Sequence, residues 1–128
     1  MRTIRAEIQQ YMAGPAREGA ALRARFQFPP EFIGFQGHFP QKKILPGVCQ
    51  IQLVLSMLEK ETLKQIALKE VVLAKYFSPV FPDEEIVCVI GDIGNGAGEH
   101  VLKAAISKGA AKVAELKLKV VLAGGKKA

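Results

Sequence analysis

From Val48 onward the chain places apolar residues at i, i+3 and i+4 spacing, namely Val48, Ile51, Val54, Leu55 and Leu58, while Cys49, Leu53 and Met57 fill much of the remaining circumference. A helix apolar on nearly every side is a buried helix. No other stretch carries a convincing long helical pattern. The regular segments around this one alternate with period two, as half-buried strands do. One buried helix among many strands requires a sheet that wraps or packs on that helix, so the expected class is α+β.

Residues 20–28 set Leu22, Ala24, Phe26 and Phe28 against Arg23, Arg25 and Gln27, and Pro29 and Pro30 end that strand. After Lys64, residues 66–77, 85–93, 100–108 and 111–123 read as four antiparallel strands, divided by PVFPD, GNGAG and a Gly-Ala step. In the last of them Leu116, Leu118 and Val120 alternate with Glu115, Lys117 and Lys119, giving one dry face and one wet. Residues 1–12 fit two readings. Ile4, Ile8, Tyr11 and Met12 suit a short amphipathic helix, and AGPAREG after them equally suits the turn of a hairpin. GNGAG opens no helix, so it reads as a hairpin turn rather than a phosphate cradle.

At 128 residues, 49% hydrophobic and 23% charged, the chain is expected to be one globular domain, 1–128, ending in a solvated tail over 124–128. Nothing approaches a membrane-spanning apolar run, and MRTIRAEIQQ has charges where a signal peptide carries its apolar region, so the expectation is a soluble, cytoplasmic protein. Cys49 and Cys88 belong to no cluster of metal-ligand spacing and read as small core residues; no metal site is expected. A net charge of +6 favours an acidic partner. With 7% aromatics and no Trp, nucleic acid is not that partner.

Chemistry concentrates in the loop before the helix. PPEFIGFQGHFPQKKILPG is rich in Pro, Gly and Phe, and too apolar for solvent-exposed slack. His38 lies in it, and imidazole is the side chain type whose unperturbed pKa lies nearest neutrality. Pro46 stands at the first helical turn, and Gly47 lets the backbone come close where unpaired N–H groups and the positive dipole end suit a carbonyl oxygen gaining charge. A base beside an oxyanion donor is half of an enolate-forming site. A histidine bonded to a backbone carbonyl fits the same residues.

Gly37-His38-Phe39-Pro40 followed by Leu45-Pro46-Gly47-Val48 resembles the GHFPxxPxxPGV signature of the 3-hydroxyacyl-acyl-carrier-protein dehydratases, the FabZ/FabA group of the hotdog fold. Tyr76-Phe77-Ser78-Pro79-Val80-Phe81-Pro82 is similar to that family's aromatic-x-x-Pro-Val-x-Pro turn. The resemblance implies an antiparallel sheet around one helix, and a homodimer with its active sites at the interface; whether dimers pair further is left open. It implies that His38 takes the α-proton of a 3-hydroxyacyl thioester and that the Gly47 N–H polarises the thioester carbonyl. No metal or organic cofactor is implied, since the substrate rides on the phosphopantetheine of acyl carrier protein or on coenzyme A. Phe35, Phe39, Ile44, Leu45, Pro46 and Val48 are candidate walls for the acyl chain. Lys42 and Lys43, where the motif has a small residue and a proline, are candidate contacts to an acidic carrier protein, with Arg23, Arg25 and Lys75 as candidate extensions of that face.

One departure matters. The family's helix carboxylate, which handles the leaving hydroxyl, falls on Gln52, and an amide cannot exchange a proton near neutral pH. Loss of a general acid costs about 10²- to 10⁴-fold in rate. The expected function is a dehydratase with His38 as base and Gln52 orienting the hydroxyl; the rivals are a non-catalytic acyl-thioester binder and a hotdog thioesterase. Among carboxylates, Glu59 and Glu61 lie two or more turns further along the helix, Glu31 is the one that could reach the site, and Asp83 is expected to cap its turn. His100 is given no role.

Overall fold

The computed structural model describes residues 3–36, 43–93 and 98–123. Helix α1 (Ile4–Gln10) is followed by strands β1 (Met12–Glu18) and β2 (Ala21–Gln27), a 3₁₀ turn (Ile33–Phe35), helix α2 (Gly47–Thr62), and strands β3 (Ile66–Tyr76), β4 (Glu85–Gly91), β5 (Gly98–Lys108) and β6 (Ala111–Leu122). The strands form one six-stranded sheet in the order β1-β2-β4-β5-β6-β3, with every neighbouring pair antiparallel. This is the expected α+β hotdog architecture.

The inward residues of successive strands stand opposite one another. Ala24 pairs with Cys88, Cys88 with Ile106, Ile90 with Ala104, Ala104 with Leu116, and Leu102 with Leu118. All are buried, together with Leu53, Val54, Met57 and Leu58 of α2, so that helix and sheet share one core. Both cysteines are free core residues, and burial pushes the Cys49 thiol up to about 11 and the Cys88 thiol up to about 12.

The two readings of the N-terminus resolve into a helix and a strand. Thr3 caps α1 by accepting from the Ala6 N–H at 3.0 Å. AGPARE then lies within β1 rather than in a turn, and the hairpin reverses after Glu18, with Gly19 at φ 63°. Pro15 is tolerated because β1 is an edge strand whose register shifts between Ala13 and Ala16. Of GNGAG, residues 94–97 lie outside the described residues, as does the tail over 124–128.

Helix α2 departs from the expectation of burial on every side. Val48 is 75% exposed, and Ile51, Gln52 and Leu55, which share its face, are only partly covered. The edge strand β3 is equally open, with Val71, Val72, Leu73 and Tyr76 exposed. Two apolar surfaces of one chain are therefore left in solvent.

Candidate active site

The two sequence segments that carry the resemblance meet in space. The Leu45 N–H donates to the Val80 carbonyl at 2.9 Å, which fastens the approach to α2 onto the turn after β3. That turn is held from its other side by the Val113 carbonyl, which accepts from Phe77 and Ser78 at 2.8 and 3.4 Å. Further along, Glu84 closes the turn by accepting from the Phe81 N–H at 2.8 Å, and Lys108 lies 3.0 Å from the same oxygen. These bonds hold the Glu84 carboxyl below its usual range. Asp83 takes a φ of 69°, so the side chain that caps here is Glu84, while Asp83 adopts the backbone conformation that glycine adopts freely.

Between the segments lies a cavity of about 370 Å³, walled by residues 44–47 and 76–79 and by Gln50. It is mostly apolar, with the Gln50 amide, the Tyr76 phenol and Ser78 as its polar lining. Gly47 begins α2. The Cys49 and Gln50 N–H groups both bond to the Pro46 carbonyl, whereas the N–H groups of Gly47 and Val48 precede the first intrahelical bond and mark the positive end of the helix dipole. A Cβ at Gly47 would stand 2.7 Å from Tyr76 Oη and 2.8 Å from Cζ, so only glycine admits that ring. The Tyr76 hydroxyl donates to the Gly47 carbonyl at 3.3 Å, and partial burial pushes the phenol up from its usual range.

The candidate residues divide among three places. Ile44, Leu45, Pro46 and Gly47 line the cavity. Gln52 and Val48 lie on the open face of α2 instead, five and one residues past Gly47, and Gln52 Nε2 donates to Ser56 Oγ at 3.1 Å. Phe35 is a core residue, 3% exposed and set edge-on to Phe32 with ring centroids 5.6 Å apart. His38, Phe39 and Lys42 lie outside the described residues. Lys43 donates to the Pro30 carbonyl at 3.1 Å, tying two stretches of the aromatic loop together.

Other side chains weighed from sequence are engaged elsewhere. Glu59 pairs with Arg5 at 2.7 Å and Glu61 with Arg17 at 2.9 Å, at the far end of α2. Glu31 is exposed and does not line the cavity. Arg23 and Arg25 on β2 are separated from Lys75 on β3 by strands β4, β5 and β6, so they do not form one basic face with it. A depression of about 450 Å³ on the sheet, lined by Leu73, Val89, Lys103 and Lys117 among others, contains none of the motif residues. No group of three or more metal-ligating side chains occurs among the described residues. Sequence reasoning passed over Gln50; its spacing of three from Gly47, one helical turn along the same face, was the available signal.

A family profile described as the ApeI dehydratase, ApeI-like, matches residues 15–117, a span that contains both motif segments. The chain belongs to the ApeI-like dehydratase family. Among solved structures, this ApeI-like chain is similar to the dehydratase heterocomplex ApeI:P from Xenorhabdus doucetiae, at 22% identity and a TM-score of 0.69 over 86% of this chain and 93% of that one. It is also similar to a hypothetical thioesterase with coenzyme A from Streptococcus pneumoniae, at 7% identity and a TM-score of 0.69 over 92% and 90% of the two chains. A thioesterase mutant from Staphylococcus aureus matches at 14% identity and a TM-score of 0.67 over 91% and 98%. No curated protein sequence matches. The ApeI-like protein is thus a dehydratase-family member on a hotdog fold, and no described helix is long and apolar enough to cross a membrane.

Proposed function

We propose that this ApeI-like protein eliminates water from a 3-hydroxyacyl thioester to give a trans-2-enoyl thioester, with the acyl group presented on acyl carrier protein or coenzyme A. The observation that carries the reading is the opening of α2 at Gly47, nine residues after His38 in the sequence, onto a mostly apolar cavity. The acyl chain lies along Ile44, Leu45 and Phe77, and the thioester carbonyl accepts from the Gly47 N–H. His38 removes a proton from the α-carbon, electron density moves onto that carbonyl oxygen, and the bond from the β-carbon to the hydroxyl oxygen then breaks. The departing hydroxide takes a proton from the imidazolium and leaves as water. No metal or organic cofactor takes part.

The protein works as a homodimer in this reading. The uncovered face of α2 and the open β3 edge support it, because both bury apolar surface when a second copy pairs along β3. Gln52, on that face, then stands at the second copy's site and donates to the leaving hydroxyl. Being an amide, it orients without protonating.

Hydration of a crotonyl thioester, on coenzyme A and on carrier protein, followed by loss of enoyl absorbance, tests the reading. Wild type turns over, His38→Ala falls by about 10²-fold or more, and Gln52→Glu rises. Because Gln52 occupies the carboxylate position, a second reading is an acyl-thioester binder without turnover. Silence of wild type across chain lengths, with thioester still bound, selects it, and release of free thiol in place of hydration selects a thioesterase.

A further inference from the structure

The buried side of α2 carries one polar group that the reaction above leaves unused. Gln50 is 3% exposed, and its Oε1 has no hydrogen-bond partner among the described residues. Its Nε2 reaches the Leu45 carbonyl only at 3.5 Å, beyond the usual length of such a bond. Buried side-chain oxygens are nearly always paired, so an orphan of this kind calls for a cause. Gln50 lines the same cavity as Gly47, whose other walls include Ile44, Leu45 and Phe77. The neighbouring phenol of Tyr76 is committed to the Gly47 carbonyl and does not serve Gln50.

We propose that the Gln50 amide turns into this cavity and that its Oε1, closed to solvent as it stands, accepts the hydrogen bond of the substrate's 3-hydroxyl, so that the cavity selects hydroxylated acyl groups over saturated ones. The inference rests on the acyl-site reading above and adds the residue that recognises the hydroxyl. An amide oxygen is satisfied by a donor alone; a methylene, a thioether or a carbonyl leaves it orphaned. Residues three apart lie on one face of a helix, and Gly47 and Gln50 both line this cavity, so that one 3-hydroxyacyl group can present its carbonyl oxygen to the first and its hydroxyl to the second. The Gly47 N–H thus meets the first oxygen and Gln50 the second. Gln50 holds the bond that will break without moving a proton, which makes it a specificity residue. Sites built to hydrogen-bond a hydroxyl reject the analogue lacking it, because the protein group is then left unpaired.

The test uses two non-reacting probes of equal length, amide-linked 3-hydroxyoctanoyl pantetheine and octanoyl pantetheine, titrated calorimetrically into wild type, Gln50→Met and Gln50→Leu. Wild type is expected to bind the hydroxylated probe about 10-fold more tightly. Both variants are expected to bind the two probes within about 2-fold of each other, with unfolding temperatures at or above that of wild type, since they lose a buried orphan acceptor. Equal binding of the probes by wild type overturns the assignment, as does a preference retained in either variant or failure of both probes to bind. The crotonyl assay separates the two ideas. A Gln50-dependent preference without hydration keeps this assignment and removes the reaction; hydration without that preference does the reverse.

Discussion

At the scale of single residues, the site is shaped by where a Cβ is allowed. Gly47 admits the Tyr76 ring, and Gly34 admits the Phe32 ring in the core: a Cβ there collides with that ring and stands 3.0 Å from Cys49 Sγ. Gly34→Ala is expected to lower stability by about 2 kcal/mol through overpacking, read from denaturant midpoints. Gly47→Ala displaces the phenol and leaves stability less affected, because Tyr76 is half exposed and can swing away. Its expected effect is on turnover in the crotonyl assay. The cysteines give a pH signature. Their folded values, about 11 and about 12, stand above the ordinary 9.0, so the folded chain keeps protons that the unfolded chain releases. Stability is therefore full below pH 9 and falls as pH rises towards 11 and 12. Cys88→Ala should reduce that slope in unfolding curves measured across pH 9 to 11.

At the scale of elements, α2 is terminated by an unusual residue and exposed by design of the sheet. Leu63 ends the helix at φ 58° with its N–H on the Glu59 carbonyl, a position where glycine is the common choice, and it is 87% exposed. Leu63→Gly should therefore raise stability by about 0.5 kcal/mol, the relief of left-handed strain outweighing the added freedom of the unfolded chain; a lower thermal midpoint would contradict this. The turn after β3 depends on Glu84. With its folded pKa depressed by the Phe81 N–H and Lys108, Glu84 stabilises above the unfolded carboxylate range and loses that effect as pH falls through the folded value. Its side chain is 37% exposed, so solvent screening limits Glu84→Gln to about 0.5 kcal/mol at neutral pH, vanishing in acid.

At the scale of the whole molecule, the open β3 edge and the face of α2 predict association. Light scattering at micromolar concentration should give twice the 13.9 kDa chain mass, and Val72→Lys on the edge should shift the protein towards monomer and lower turnover with it. A monomeric wild type with full activity would refute a site completed by a second copy. The net charge of +6 predicts that KM for an acyl-carrier-protein substrate rises between 50 and 500 mM salt more steeply than KM for the coenzyme A thioester.

The sequence alone determined the α+β class, the position of the one long helix, the boundaries of β2 to β6 within a few residues, and the two segments that line the candidate cavity. Those features rest on local periodicity and on Gly and Pro chemistry, which need no knowledge of distant residues. Tertiary structure alone decided how the pieces combine. It set β3 at the sheet edge beside β6, joined Leu45 to Val80, and moved AGPARE from a turn into β1. It also placed Gln50 in the cavity and Gln52 on the open face of α2, two neighbours in sequence that the helix turns about 200° apart at roughly 100° per residue. Periodicity marks both as polar breaks in an apolar helix. Which of them looks into the cavity depends on what the sheet covers, and that is fixed only by long-range packing.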